Sequence, residues 1–294
     1  MKKVLIIGMG QIGTYLYELL KNDHVVCGIT RKDLNITDYK ALESLIVDFE
    51  PDEVYNLAGE TNTKNAIENP IETFESTAKA VWNICEIIRN IKKPIKLFQA
   101  LSSEMFKDSS EKITKKSINF TPKTPYSISK VASYWTIKYY RERYNLPFYN
   151  GFIFNTDSRL RKGDYLFPKI CNTLKSESKV LHVDNLYARK DWLHASDVAK
   201  GIYLCMQGSP GEYIFSTGKT HTVQDLLTIS YNCIGIELEW RNNIGIDKKT
   251  GEELVFSKNN FVTEAISGED EDLKKLGWKV MYTLEDIVKD VLNF

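Results

Sequence analysis

The chain of 294 residues carries 39 basic and 39 acidic side chains, a formal net charge of zero with histidine neutral. That balance gives no general attraction to nucleic acid or to an anionic membrane, so a polyanionic ligand must be held by a local cluster of cations. With 43% hydrophobic and 27% charged residues, the composition suits a globular chain of one large α/β domain or a core with a smaller lobe.

Val4 to Gly8, VLIIG, is a continuous apolar run ending in glycine, the pattern of a parallel strand buried on both faces. Thr14 to Lys21 reads as a helix, HVVCGI as a second buried strand, and Tyr39 to Phe49 as a helix with Leu42, Leu45 and Ile46 on one face. EVYNLAG is a third strand, Glu72 to Asn90 a long helix, and IKLFQALSS a fourth strand running into a serine-rich loop. Pro125 opens a helix reaching Tyr144, and LPFYNGFIFN is a fifth strand. Alternation of this kind predicts an α/β fold, a Rossmann-type doubly wound parallel sheet with right-handed crossovers. Beyond Ser158 the rhythm loosens into shorter pieces. The expectation is a dinucleotide-binding domain over 1–157 and, over 158–294, mainly a smaller α/β substrate-binding lobe with some segments returning to the core. The acidic stretch Gly268 to Asp272 reads as a solvated turn.

The five cysteines and four histidines are dispersed, and no two cysteines stand at zinc-ligand spacing. Neither a disulfide framework nor a metal is expected, and a reducing cytoplasm is the expected location. The basic-then-apolar start is too short for a signal peptide, and no apolar run approaches a membrane span.

Gly8, Gly10, Gln11, Ile12 and Gly13 lie in a G-x-G-x-x-G loop between the first strand and the first helix. Its glycines permit a tight turn and close approach to a pyrophosphate, and the helix supplies oriented N–H groups. Where an NAD site commonly carries an acid at the end of the second strand, this chain has Thr30-Arg31-Lys32. Two cations there suit the 2′-phosphate of NADP; the other reading is a solvated basic turn. Tyr126 and Lys130 stand at i and i+4 on one helix face, where a cation favours the tyrosinate and makes the phenol a usable base. Ser102-Ser103-Glu104 follows the fourth strand, at the ligand-binding end of such sheets. A serine can hydrogen-bond a hydroxyl being oxidised, and a carboxylate adds a base for a C–H proton.

Together FQALSSE, TPYSISK, ASYWTIKYYRERY, NGFIFN, LFPKI, DNLYARKDWLHASD, YIFSTGKTHTVQDL and KKLGW resemble the extended short-chain dehydrogenase/reductases, and among them the GDP-mannose 4,6-dehydratase family. The resemblance implies a hydro-lyase with catalytic NADP acting on a GDP-hexose in nucleotide-sugar metabolism and deoxysugar biosynthesis. Tyr126, Lys130, Ser102 and Glu104 would then carry the chemistry. Leu57 and Ala58 in PDEVYNLAG, with Asn35 and Ile36, would touch the cofactor. Ser103, Asn155, Lys169, Asn185, Arg189, Lys190 and Lys258 would touch the GDP-sugar. The alternative is an NADP-dependent GDP-4-keto-6-deoxy-sugar reductase or epimerase; a catalytically silent NADP-binding protein is a third reading.

Several features depart from the family pattern. The glycine loop is one residue shorter, the stretch between Arg31 and Asp38 is abbreviated, and Leu160 replaces one arginine of a pair, leaving Arg161. The order Arg189-Lys190 inverts a lysine–arginine pair. Because the shortened segment is one that helps relatives form tetramers, a homodimer is expected, built as a four-helix bundle from Glu72–Asn90 and Pro125–Tyr144.

Overall fold

The computed structural model describes residues 1–91, 93–106, 112–116, 118–263 and 266–293. The chain opens with β1 (Lys3–Ile7), α1 (Gln11–Leu20), β2 (Val25–Ile29), α2 (Tyr39–Phe49), β3 (Glu53–Asn56) and α3 (Thr63–Glu68). It continues through α4 (Pro70–Phe74), a π-helical turn Glu75–Lys79, α5 (Ala80–Asn90), β4 (Lys96–Ser102), α6 (Pro125–Tyr144) and β5 (Phe148–Ile153). The apolar run of β1 is explained by its place: Val4 and Ile6 pack with Leu16 and Leu20 on one face of the sheet. Leu5 and Ile7 pack with Leu42 and Ile46 on the other. Each such side chain, taken fully out of water, contributes roughly 1.5–3 kcal/mol.

The second half supplies β6 (Asn155–Asp157), α7 (Leu166–Lys175), β7 (Leu181–Asn185), β8 (Arg189–Lys190), β9 (Trp192–His194), α8 (Ala195–Cys205) and β10 (Glu212–Phe215). Then come β11 (His221–Thr222), α9 (Val223–Asn232), β12 (Leu238–Arg241), β13 (Ile244–Asp247), β14 (Glu253–Asn259), α10 (Glu271–Lys275) and α11 (Leu284–Leu292). The main sheet has six strands in the order β10-β5-β4-β3-β1-β2, every pairing parallel. α1 packs on α8, while α5 packs against both α2 and α6. A separate sheet, β12-β13-β14-β7, shares a second core with α7, α9 and α11, centred on Leu227, Tyr231, Val255 and Ile287.

Four local expectations change. β2 is the edge strand, so Val25 is exposed and the strand is not buried on both faces. The fifth apolar run is two strands: β6 leaves the main sheet and pairs with β9. The long helix starts at Pro70, and its π-turn accompanies a hydrogen bond from Ser133 Oγ on α6 to the Thr77 carbonyl, 3.2 Å. The acidic stretch near Asp272 is anchored at Asp270, which is buried, accepts from Ile214 N at 2.8 Å and caps α10 through Leu273 N at 2.9 Å.

Among the described residues no helix is long and apolar enough to cross a membrane, and no three His, Cys, Asp or Glu side chains converge as metal ligands.

Candidate active site

Two cavities meet over the β1–α1 loop, sharing Gly8, Gly10, Leu57 and Thr61. The loop's shape follows from its glycines. Gly8 has φ +103°, and a Cβ there would lie 2.7 Å from Ala58 N. A Cβ on Gly13 would lie 2.2 Å from the Gly8 carbonyl oxygen, whereas one on Gly10 would meet nothing within 4 Å. Two glycines are therefore fixed by packing, and the third leaves its face open to the cavity. α1 starts at Gln11 without a side-chain cap, so its first N–H groups are available to an anion. The donors and the open face fit a dinucleotide diphosphate.

The first cavity, about 600 Å³, holds Ser102, Ser103, Glu104, Tyr126, Lys130, Asn155 and Lys190 beside Gln11, Ile12 and Gly13. Tyr126 and Lys130 are delivered by the first turns of α6, which Thr124 opens with a reciprocal capping box to Ser127 and Pro125 at its first position. Ser102 hydrogen-bonds the Tyr126 phenol and accepts from Glu104 N at 3.2 Å. Glu104, half-buried on the turn Ser103–Phe106, faces Lys190 Nζ at 3.3 Å. Lys130 Nζ donates to the Ala100 carbonyl at 2.9 Å and lies 5.9 Å from the centre of the Tyr126 ring.

The expected tyrosinate is not stabilised by this arrangement alone. Burial pushes the Tyr126 phenol up to about 12, against the Ser102 hydrogen bond that pulls it down. Burial also lowers the Lys130 ammonium to about 8. Desolvation is the largest influence on both groups, and added positive charge in the cleft would favour the tyrosinate.

The second cavity, about 550 Å³, is lined by Arg31, Asn35, Ile36, Leu57 and Ala58. Arg31 is well exposed and pairs with Glu72. Asp33 turns back on its own strand end, accepting from Thr30 N at 2.8 Å and Thr30 Oγ1 at 2.7 Å. Those bonds hold its carboxyl below the usual range.

The sequence model of the GDP-mannose 4,6 dehydratase family matches residues 29–291. GDP-mannose 4,6 dehydratase 1 of Arabidopsis thaliana is 30% identical over 331 residues, taking in 99% of this chain and 89% of that protein. GDP-mannose 4,6-dehydratase of Vibrio cholerae serotype O1 is 31% identical, over 84% of this chain and 76% of its own. The chain belongs to the GDP-mannose 4,6-dehydratase family. Its fold is shared with RMD of Pseudomonas aeruginosa, solved with NADPH, at TM-score 0.84 and 16% identity over 100% of this chain and 98% of that one. The dTDP-glucose 4,6-dehydratase of Bacillus anthracis, solved with NAD, superimposes at TM-score 0.82 with 18% identity, over 100% and 96% of the two chains.

Four residues matched to the family's substrate contacts line neither cavity. Lys169 Nζ donates to the His182 carbonyl, and Asn185 Nδ2 to the Phe261 carbonyl at 2.8 Å. Arg189 is held by Thr220 Oγ1 at 3.0 Å, and Lys258 pairs with Asp184 at 3.3 Å on the surface. Gln11 lines the first cavity with its side-chain amide engaged within the protein. Its Nε2 donates to the Thr156 carbonyl at 2.7 Å and its Oε1 accepts from Ser158 Oγ at 2.9 Å, pinning the glycine loop to the chain after β6.

Sequence reasoning missed Asp157 and Tyr165 and left Arg161 out of the site, yet all three line the catalytic cleft. Asp157 Oδ1 and Arg161 Nε are buried without hydrogen-bond partners, 3.9 Å apart. Burial lifts the Asp157 carboxyl to about 7. The Arg161 guanidinium lies 3.5 Å from the centre of the Tyr165 ring, whose hydroxyl bonds Thr61 Oγ1 at 2.8 Å across the cleft. The signal for Asp157 was available: it stands two residues from Asn155, on the same face of a strand.

Proposed function

We propose that the chain is a GDP-mannose-type 4,6-dehydratase, converting a GDP-hexose to its GDP-4-keto-6-deoxy form. The observation that carries this reading is the convergence of Ser102, Glu104, Tyr126 and Lys130 in one cleft beside an open glycine loop, in a chain of this family. Ser102 orients the C4 hydroxyl and Tyr126 takes its proton. Lys130 holds the cofactor ribose and, with the cofactor's own charge, draws the phenol down from the high value that burial alone imposes. Bound along the two cavities, an oxidised nicotinamide dinucleotide supplies a positive charge and a reversible hydride acceptor. Glu104 removes the C5 proton, which the neighbouring C4 ketone acidifies, and passes it to the departing C6 hydroxyl as water.

The cofactor is NADP in this reading. The Arg31-Lys32 pair after β2 supports it, as does Asp33, whose Oδ2 is taken up by Thr30 N and Oγ1. Arg31→Ala would then lower the preference for NADP over NAD about tenfold or more in parallel binding titrations. A homodimer is part of the proposal. Trp82, Trp135 and Tyr139 are each about half exposed on α5 and α6, an apolar surface that a second copy would cover. Light scattering of the wild type and of Trp135→Glu tests it, with a monomeric variant expected. The five unpaired cysteines suit a cytoplasmic setting.

Incubation with GDP-mannose in deuterated water, without added reductant, tests the activity. Loss of one water, deuterium at C5 and transfer of the C4 hydrogen to C6 are expected. Reduction of a 4-keto-6-deoxy sugar only when NADPH is added would instead make the chain a reductase.

A further inference from the structure

Lys190 lies on β8, the two-residue strand that pairs antiparallel with β11, with Lys190 opposite His221 and Arg189 opposite Thr222. Neighbouring side chains of a strand point to opposite faces. The Arg189 guanidinium bonds the Thr220 hydroxyl and carbonyl, and its backbone N–H donates to Thr263 Oγ1 at 3.0 Å. On the other side of Lys190, Asp191 is buried and accepts from Ser216 Oγ at 2.6 Å, Thr217 N at 3.0 Å and Gly218 N at 3.0 Å. The backbone carrying Lys190 is thus fixed from both flanks. Its ammonium projects into the catalytic cleft, 3.3 Å from Glu104 Oε1.

We propose that Lys190 is a positioning residue for Glu104, holding that carboxylate ionised and aimed for proton removal at C5. The inference rests on the dehydratase reading above and gives Lys190 a different role from the GDP-sugar contact that the resemblance implies. Glu104 sits in a half-buried pocket, where desolvation works against its charged form. From α6 it faces Tyr126, whose phenol its charge raises further, and the Lys130 ammonium lies in the same cleft. From the end of β6 comes Asp157, from the segment after it Arg161, and from β8 Lys190. Lys190 lies within ion-pairing distance of Glu104, so it counters desolvation and sets the direction of the carboxylate.

The pairing also serves the second half of the elimination. When the C5–H bond breaks, its proton goes to Glu104 and its electron pair forms the C5–C6 double bond as the C6–O bond breaks. The departing oxygen takes the proton from Glu104 and leaves as water. A neighbouring ammonium makes the protonated carboxyl a stronger acid, so return of the proton restores the ion pair. Atoms and charge balance within the pair and the substrate.

Lys190→Met, Lys190→Gln and Lys190→Arg in the full-length chain test this. In Lys190→Met, kcat at neutral pH falls about tenfold, the acid limb of the kcat profile moves to higher pH, and KM for GDP-mannose changes less than about threefold. Lys190→Arg recovers most of the rate and the wild-type limb. Carbon-13 NMR of glutamate-labelled protein, with the Glu104 signal identified by its loss in Glu104→Gln, reads the pairing without turnover. Its carboxyl titrates at higher pH in Lys190→Met and in Lys190→Gln, the latter serving if the methionine variant fails to fold. A KM raised tenfold or more with both the limb and the titration unchanged overturns the proposal and makes Lys190 a diphosphate contact. A wild type that does not dehydrate GDP-mannose overturns the parent reading, while the NMR titration still decides whether Lys190 controls Glu104.

Discussion

The two cavities that meet over the glycine loop are built by different means. The one beside Arg31 and Ala58 takes its form from backbone: the close approach of Gly8 to Ala58, the packing of Gly13 on the Gly8 carbonyl, and an uncapped helix start. The catalytic cleft takes its form from side chains that arrive from β4, α6, β6 and β8 and pay for their burial in shifted acidities. The first is a mould that tolerates little change in shape. The second is a set of charges whose strength depends on what else occupies the cleft.

The largest effect that sharpens this contrast is on the side-chain half. Tyr126→Phe removes the proton acceptor and keeps the ring, so kcat should fall about 10²–10⁴-fold with the melting temperature nearly unchanged. Thermal melts beside steady-state assays check both parts; a large loss of stability would mean that the hydroxyl serves the fold.

On the backbone half, Gly13→Ala should cost about 3 kcal/mol, because its Cβ would sit 2.2 Å from a carbonyl oxygen that has nowhere to go. Gly10→Ala meets no neighbour and should leave the urea midpoint in place while weakening dinucleotide binding. Equal stability losses in the two variants would break the comparison.

Asp157 joins acidity to stability. Burial lifts its carboxyl to about 7, from about 3.9 in an unfolded chain. Between those values the folded protein keeps a proton that the unfolded chain has released, so stability falls as pH rises from about 4 to about 7. Asp157→Asn should remove a decline of up to roughly 4 kcal/mol, read as urea midpoints on either side of the window.

The smallest effect belongs to Gln11, whose amide ties the backbone half to the other. Gln11→Leu leaves the Thr156 carbonyl and the Ser158 hydroxyl short of partners and should cost about 1 kcal/mol, measured by the same unfolding series. If cofactor affinity collapsed while stability held, the amide would belong to the cofactor site instead.

Legibility in the sequence followed the same division. The parallel sheet, the glycine loop and the i, i+4 pair of Tyr126 and Lys130 were all readable, because strand burial, turn sterics and helical spacing act over a few residues. Even so, α1 starts three residues before the Thr14 that the pattern predicts, and β2, whose apolar run predicts a buried strand, is the edge of the sheet. Neither follows from local pattern, since a strand's neighbours are chosen by the whole chain.

By itself the sequence determined the fold class, the family and the four residue types of the candidate catalytic set, each encoded in short contiguous motifs. Only the tertiary structure decided that Lys190 faces Glu104, that Gln11 bridges to Thr156, and that Asp157 and Arg161 face each other 3.9 Å apart in the cleft. It also decided that burial is the largest influence on the acidity of Tyr126, opposed by the Ser102 hydrogen bond. Motifs fix what a side chain is, but its partners and its loss of solvent come from segments remote in the chain, and those two quantities govern its charge.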